Sequence, residues 1–258
     1  MQCAKTAEWS TCLKPWLMTL SSSSSIKEKA MQEQSMRSQS THSQSMRSDI
    51  YLLLATLLHD VPSAELCAFL AELDFEANGT EMAKAWQAIS AAAHNAQVDS
   101  LADEYLVEEY QALFIGIGRG EVVPFASWHL TGSLMEKPLA EIRDDLSRLG
   151  LERDEQVREP EDHISALCET MAYLCEQGDD ENADAQTQQA FFNRHIAPWF
   201  GKLVSQIRQA PHAQFYLAVA QLLDAFLSLE QVAMTQAPSS RKNRYRIEVK
   251  NLTDKAEQ

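Results

Sequence analysis

Hydrophobic positions recur at helical spacing along most of the chain from residue 48 onward. Ile50, Leu53, Leu54, Leu57 and Leu58 fall at i, i+3, i+4, i+7 and i+8 behind Ser48 and Asp49, which predicts a capped amphipathic helix ended by Pro62. Ser63 caps a second, shorter helix with Leu66, Phe69, Leu70 and Leu73 on its apolar face, and Glu81–Ala93 is Ala-rich and helix-forming. Ser100 and Asp103 have the spacing of a capping box ahead of Tyr105, Leu106, Tyr110, Leu113 and Phe114, a helix closed by Gly116, Gly118 and Gly120. Further helices are predicted over Pro138–Leu149, stopped by Gly150, and over Glu161–Glu176. The same holds for Ala185–Ile207, broken at Pro198, and for His212–Met234. No segment sustains the alternation of Val, Ile and Thr that a strand requires. The predicted fold class is all-α, a multi-helix domain over 48–238 with a charged hinge near 150–160 between helical halves.

The two ends differ from this body. Residues 1–47 contain five consecutive serines and a near repeat, Gln34–Ser38 and Gln44–Ser48, and have no apolar period. They read as a disordered extension, within which Met31, Met36 and Met46 stand as alternative starts. Residues 239–258 read as a basic, flexible tail.

Charge sharpens the division. The chain holds 22 Lys and Arg against 37 Asp and Glu, a net of −15. Each end carries six basic and three acidic residues, so 48–238 holds 10 against 31, a net of −21. A body that acidic does not meet nucleic-acid phosphates. Such a field either simply keeps the protein soluble or favours a basic partner over an acidic one.

Five scattered cysteines without a CxxC pair suggest neither a disulfide framework nor a zinc site, and fit a reduced, cytoplasmic setting. The apolar stretch Pro15–Leu20 is too short for a leader core. Ile50–Leu58 is short and Phe215–Leu229 is interrupted by Gln221 and Asp224, so membrane insertion is not expected.

Three clusters carry candidate chemistry. Gly116, Gly118 and Gly120 lack the Lys-Ser/Thr and the preceding strand of a phosphate loop, and read as a glycine-terminated helix. Pro124-Phe-Ala-Ser-Trp-His-Leu130 crowds Phe125, Trp128 and His129 into five residues, either as interface anchors or as core. Glu159-Pro-Glu-Asp-His163 reads structurally as a helix start, with Pro160 in the first turn and acids near the dipole. Asp162 and His163 also offer acid/base groups, although neighbouring helical residues diverge by about 100° and do not converge on one ion. No metal or cofactor is expected.

Taken in order, these segments resemble the TorD/DmsD family of redox-enzyme maturation chaperones. The resemblance runs over about residues 48–230. It rests on Asp49–Leu58, on Glu109-Tyr-x-x-Leu-Phe-x-Gly-x-Gly118, on Pro124-x-x-Ser127 with Gly132 and Pro138-Leu139, on Glu159–His163, on His195-x-x-Pro-Trp199 and on Phe215-Tyr216. It implies a cytoplasmic, non-enzymatic helical chaperone. Such a chaperone binds the twin-arginine signal peptide and body of a molybdopterin oxidoreductase precursor, assists cofactor insertion and prevents premature export. It further implies a peptide groove to which Phe125, Ser127, Trp128, His129, Glu159, Asp162 and His163 contribute, and a protein that is a monomer or a homodimer swapped near Arg158–Pro160. Trp128 and His129 depart from the Val/Tyr-type residues commoner there. Two other readings stand beside it: a helical enzyme using His163 with Asp162 or Glu159, and an acidic helical adaptor.

Overall fold

The computed structural model describes residues 45–73, 78–98, 102–116, 119–154, 157–177 and 181–236. The extension up to residue 44, the Ser100 capping box, Gly118 and the basic tail lie outside them. Ten α-helices follow one another among the described residues, and the only strand-like feature there is a single antiparallel bridge between Phe125 and His163. The all-α architecture follows from the apolar periodicity.

Helix α1 spans 45–59, opening before the expected Ser48 cap. The earlier turn forms because Arg47 has distant partners: Nε and one terminal nitrogen donate to the two carboxylate oxygens of Glu230 at 2.8 and 2.6 Å, and the other donates to Gln188 at 3.0 Å. Ser48 is no cap but an interior residue, its hydroxyl donating to Glu176 at 2.9 Å. Helix α2 (Ala64–Ala71) starts as its sequence dictates, with the Ser63 hydroxyl accepting from Leu66 N–H at 3.2 Å. Helices α3 (Glu81–Val98) and α4 (Ala102–Tyr110) follow, α4 running into a π-turn at Gln111–Ile115.

The short α5 (Ala126–Thr131) and α6 (Lys137–Arg148) close the first half. The second holds α7 (Ile164–Glu176), α8 (Glu181–His195), α9 (Phe200–Gln209) and α10 (Phe215–Gln236). Pro198, which has no N–H to donate, lies in the turn that separates α8 from α9.

Helix α10 is the axis of the core, packed against α3, α8 and α9. Its start is closed by a side chain from α4: the Glu109 carboxylate accepts from the backbone N–H groups of Gln214, Phe215 and Tyr216 at 2.7, 3.0 and 2.9 Å. This offsets three of the donors that a helix start leaves unpaired. Contrary to the sequence expectation, Phe215–Thr235 is long and apolar enough to cross a membrane by length and composition. Asp224 does not disqualify it, and over half of its most apolar window is buried within the fold. Val219, Leu222, Leu223, Phe226 and Leu227 fill the core with Tyr51, Leu54, Phe192, Trp199 and Leu203.

Candidate functional site

The segment before α5 and the segment before α7 lie side by side, and both helices start at their junction. Ala126 N–H donates to the carbonyl of Asp162 and Ile164 N–H to the carbonyl of Pro124, each at 2.9 Å. This two-bond bridge holds His163 extended (φ −67°, ψ 140°), so α7 begins at Ile164. The expected start at Glu161, with Pro160 in the first turn, is thereby corrected: pairing with Phe125 takes these residues out of helical geometry.

Side chains complete the junction. Asp162 is 1% exposed, and its Oδ2 accepts from Ser127 N–H at 2.9 Å, capping α5. Its Oδ1 and the buried Ser127 hydroxyl have no hydrogen-bond partner. His163 is 5% exposed and caps the other helix, its Nδ1 accepting from Ser165 N–H at 3.1 Å with the Ser165 hydroxyl at 2.6 Å. An acceptor at Nδ1 places the ring proton on Nε2. Burial pushes the imidazole pKa down to about 3, aided by His59, so the ring is neutral near neutral pH. Phe125, half-buried, meets the His163 ring edge to face at 4.9 Å.

Trp128 and His129 have separate partners. The Arg119 guanidinium lies over the half-buried Trp128 ring, 4.6 Å from its centroid. His129 stacks on Trp199 at 5.1 Å and 20°, and its Nε2 donates to the carbonyl of Val123 at 2.8 Å. Burial lowers the His129 pKa, outweighing that hydrogen bond, and Lys202 lowers it further. The Lys202 ammonium donates to the His129 carbonyl at 2.9 Å, at the end of α5.

Of the seven residues singled out by sequence, Phe125, Ser127, Asp162 and His163 meet directly. Trp128 and His129 project from the same short helix. Glu159 is exposed, with no ion pair among the described residues; burial, with Asp60 and Glu159 adding to it, pushes the Tyr110 hydroxyl up to about 12. Sequence reasoning missed Arg119, whose setting between two glycines was the available signal. It also missed Glu161, whose carboxylate binds Arg143 at 2.8 Å and Arg153 at 3.4 Å. Burial would raise the Glu161 pKa, but these arginines lower it on balance.

Chemically, the junction sets partly exposed aromatic rings above buried polar groups that cap two helices. Asp162 and His163 point at different helices, one spent on Ser127 and the other on Ser165, and do not form an acid/base couple. Among the described residues no three His, Cys, Asp or Glu side chains group to hold a metal ion.

Residues 75–205, just over half of the chain, match the family model described as the nitrate reductase delta subunit. The match takes in α5, the junction and most of α9. The chain is 26% identical over 133 residues to the chaperone protein TorD of Vibrio parahaemolyticus, covering 48% of this chain and 62% of that one. It is 28% identical over 193 residues to the TorD chaperone of Ferrimonas balearica, covering 72% and 88%. A crystal structure of a proposed redox enzyme maturation protein from Archaeoglobus fulgidus aligns with a TM-score of 0.44 and 22% identity, over 72% of this chain and 94% of that one. The chain is thus a member of the nitrate reductase delta subunit family, to which the TorD chaperones belong.

Proposed function

We propose that this protein is a cytoplasmic maturation chaperone that binds the twin-arginine signal peptide and the body of a molybdopterin oxidoreductase precursor, holding it from export until its cofactor is in place. The observation that carries this reading is the junction of α5 and α7 within a family whose named relatives are chaperones. Phe125 and Trp128 offer partly open aromatic faces, His129 lies beside them on α5, and Glu159 supplies exposed negative charge. Ser127, Asp162 and His163 lie beneath, fixing where those faces sit. An acidic body of net −21 over 48–238 suits a leader whose basic residues precede an apolar stretch. The protein acts as a monomer, or as a homodimer swapped near Arg158–Pro160.

Calorimetric titration of the full chain with synthetic leaders from molybdoenzyme precursors tests the proposal. Binding is expected for leaders with both arginines and loss of binding when both are alanine. Failure to bind any such leader, with the helical fold intact, overturns it. Binding that ignores the arginines turns the reading toward a general acidic adaptor.

A further inference from the structure

We infer that one face of the Trp128 indole is a seat for a guanidinium group, filled in the free protein by Arg119. An arginine of an incoming peptide binds there by taking the place of Arg119. The peptide's identity rests on the leader-binding reading above; the seat itself does not.

Arg119 is the anomaly that points to this exchange. In a chain with 37 acidic residues its guanidinium pairs with no carboxylate among the described residues, and lies instead over Trp128, 4.6 Å from the ring centroid. A guanidinium is planar and weakly hydrated, and stacks well on an indole face. Its position is set by the backbone. Gly116 (φ +55°) passes so close to the Arg119 carbonyl that an added Cβ would lie 2.4 Å from that oxygen. A Cβ on Gly120 would lie 2.3 Å from the Leu113 carbonyl. Beyond the glycines, Glu121 N–H donates to Ala112 at 3.2 Å and Val122 N–H to Leu113 at 2.8 Å. The Arg119 carbonyl thus lies against Gly116 and the chain after it is folded back on the preceding turn, while among the described residues its exposed side chain is held by the ring alone.

Two consequences follow. Exchange replaces one stacked guanidinium with another and returns Arg119 to water, so the seat is opened at little cost by its own ligand chemistry. A lysine ammonium, compact and strongly hydrated, matches the vacated face less well, so the seat favours arginine.

The test compares the full chain with Arg119→Gln, Trp128→Leu and the double variant, titrated with a leader peptide carrying paired arginines and with its paired-lysine counterpart. Arg119→Gln is expected to bind the arginine peptide about two- to fivefold more tightly, the strength of an exposed cation–π contact, and the lysine peptide with a smaller gain. In the Trp128→Leu background the gain is expected to vanish. Unchanged or weaker binding by Arg119→Gln overturns the inference. So does a gain of equal size without Trp128, which reports net charge alone. If no leader binds any variant, the leader reading fails, and N-acetyl-arginine amide then probes the seat. The Trp128 indole N–H resonance, identified by its loss in Trp128→Phe, is expected to shift at lower probe concentration in Arg119→Gln than in the parent. Equal response in the two overturns the seat as well.

Discussion

Replacing Asp162 with alanine distinguishes a carboxylate that holds the frame from one that meets the ligand. In the free protein its Oδ2 accepts from Ser127 N–H at 2.9 Å, and the side chain is 1% exposed. Removing it strips the start of α5 of a cap and leaves a buried donor without an acceptor. Loss of a side-chain cap costs about 0.5–2 kcal/mol, and an unsatisfied buried group about 1–3 kcal/mol. These describe one hydrogen bond from two sides and do not add. Relief of the unpartnered Oδ1 works in the opposite direction. The net expectation for Asp162→Ala is a loss of about 2 kcal/mol, or about 4–8 °C in Tm for a domain of this size. Asp162→Asn keeps an acceptor for Ser127 N–H, so it is expected to recover most of that loss. Urea unfolding followed by far-UV circular dichroism gives the stabilities, and calorimetry on the folded variants gives leader affinity. If Asp162→Ala unfolds at the parent's midpoint, the capping argument is wrong. Leader binding abolished in that same stable variant would instead place the carboxylate in contact with the peptide.

His163 makes stability depend on pH. Its folded pKa is lowered from 6.5 to about 3, so its contribution is fully present above pH 6.5. It is lost as pH falls toward 3, because the unfolded chain takes up a proton that the buried ring refuses. The decline is about 1.4 kcal/mol per pH unit, or about 2 kcal/mol between pH 6.5 and 5. His129 and His195 are shifted downward too, so the measurement is the difference in slope between the parent and His163→Asn, which can still cap Ser165 N–H. Equal slopes from urea midpoints at pH 7.5 and 5 would refute the assignment. Glu230→Gln, which disrupts the paired bonds from Arg47 and faces the Tyr51 hydroxyl, is expected to cost about 2–3 kcal/mol in the same assay, toward the low end because Arg47 retains some exposure. In the Arg47→Met background that cost is expected to shrink, and an undiminished cost argues against the pair.

Much of the fold was legible because helices announce themselves locally. The apolar period of 50–58 and the Ser63 cap needed nothing distant to be read. What failed to show were effects of partners far along the chain. Arg47 belongs to α1 because Glu230 lies 183 residues away, and no local rule carries that information. Glu109 caps a helix from 105 residues away for the same reason. At the site, aromatic crowding at 125–129 and the Glu-Pro-Glu-Asp-His run marked the right segments, but not their chemistry. Asp162 and His163 are consecutive in sequence and serve separate helices, because an extended residue alternates its neighbours' directions while a helical one does not. The expected helix start at Glu161 fails on that point alone.

That separation has a consequence for a swapped dimer. A hinge at Arg158–Pro160 leaves Phe125, Ser127 and Trp128 on one side and Asp162 and His163 on the other. In a dimer that exchanges halves there, each junction is built from the α5 of one copy and the α7 start of its partner, with the same bonds as in the monomer. Two damaged variants can then repair each other. Neither Asp162→Ala, which uncaps α5, nor Trp128→Leu, which removes the ring beside the junction, is intact alone. A mixed swapped dimer pairs the intact α5 of the Asp162 variant with the intact α7 start of the Trp128 variant, restoring one junction in two. Co-refolding the two variants, isolating the dimer and titrating it with leader peptide is expected to recover parent-like affinity at about half the sites if mixed dimers are purified by differential tags. Monomers from the same mixture recover none, since each carries one defect. Mixed dimers that recover nothing would place the exchange at another hinge, outside 129–161, and would remove the junction as the element that joins the two halves.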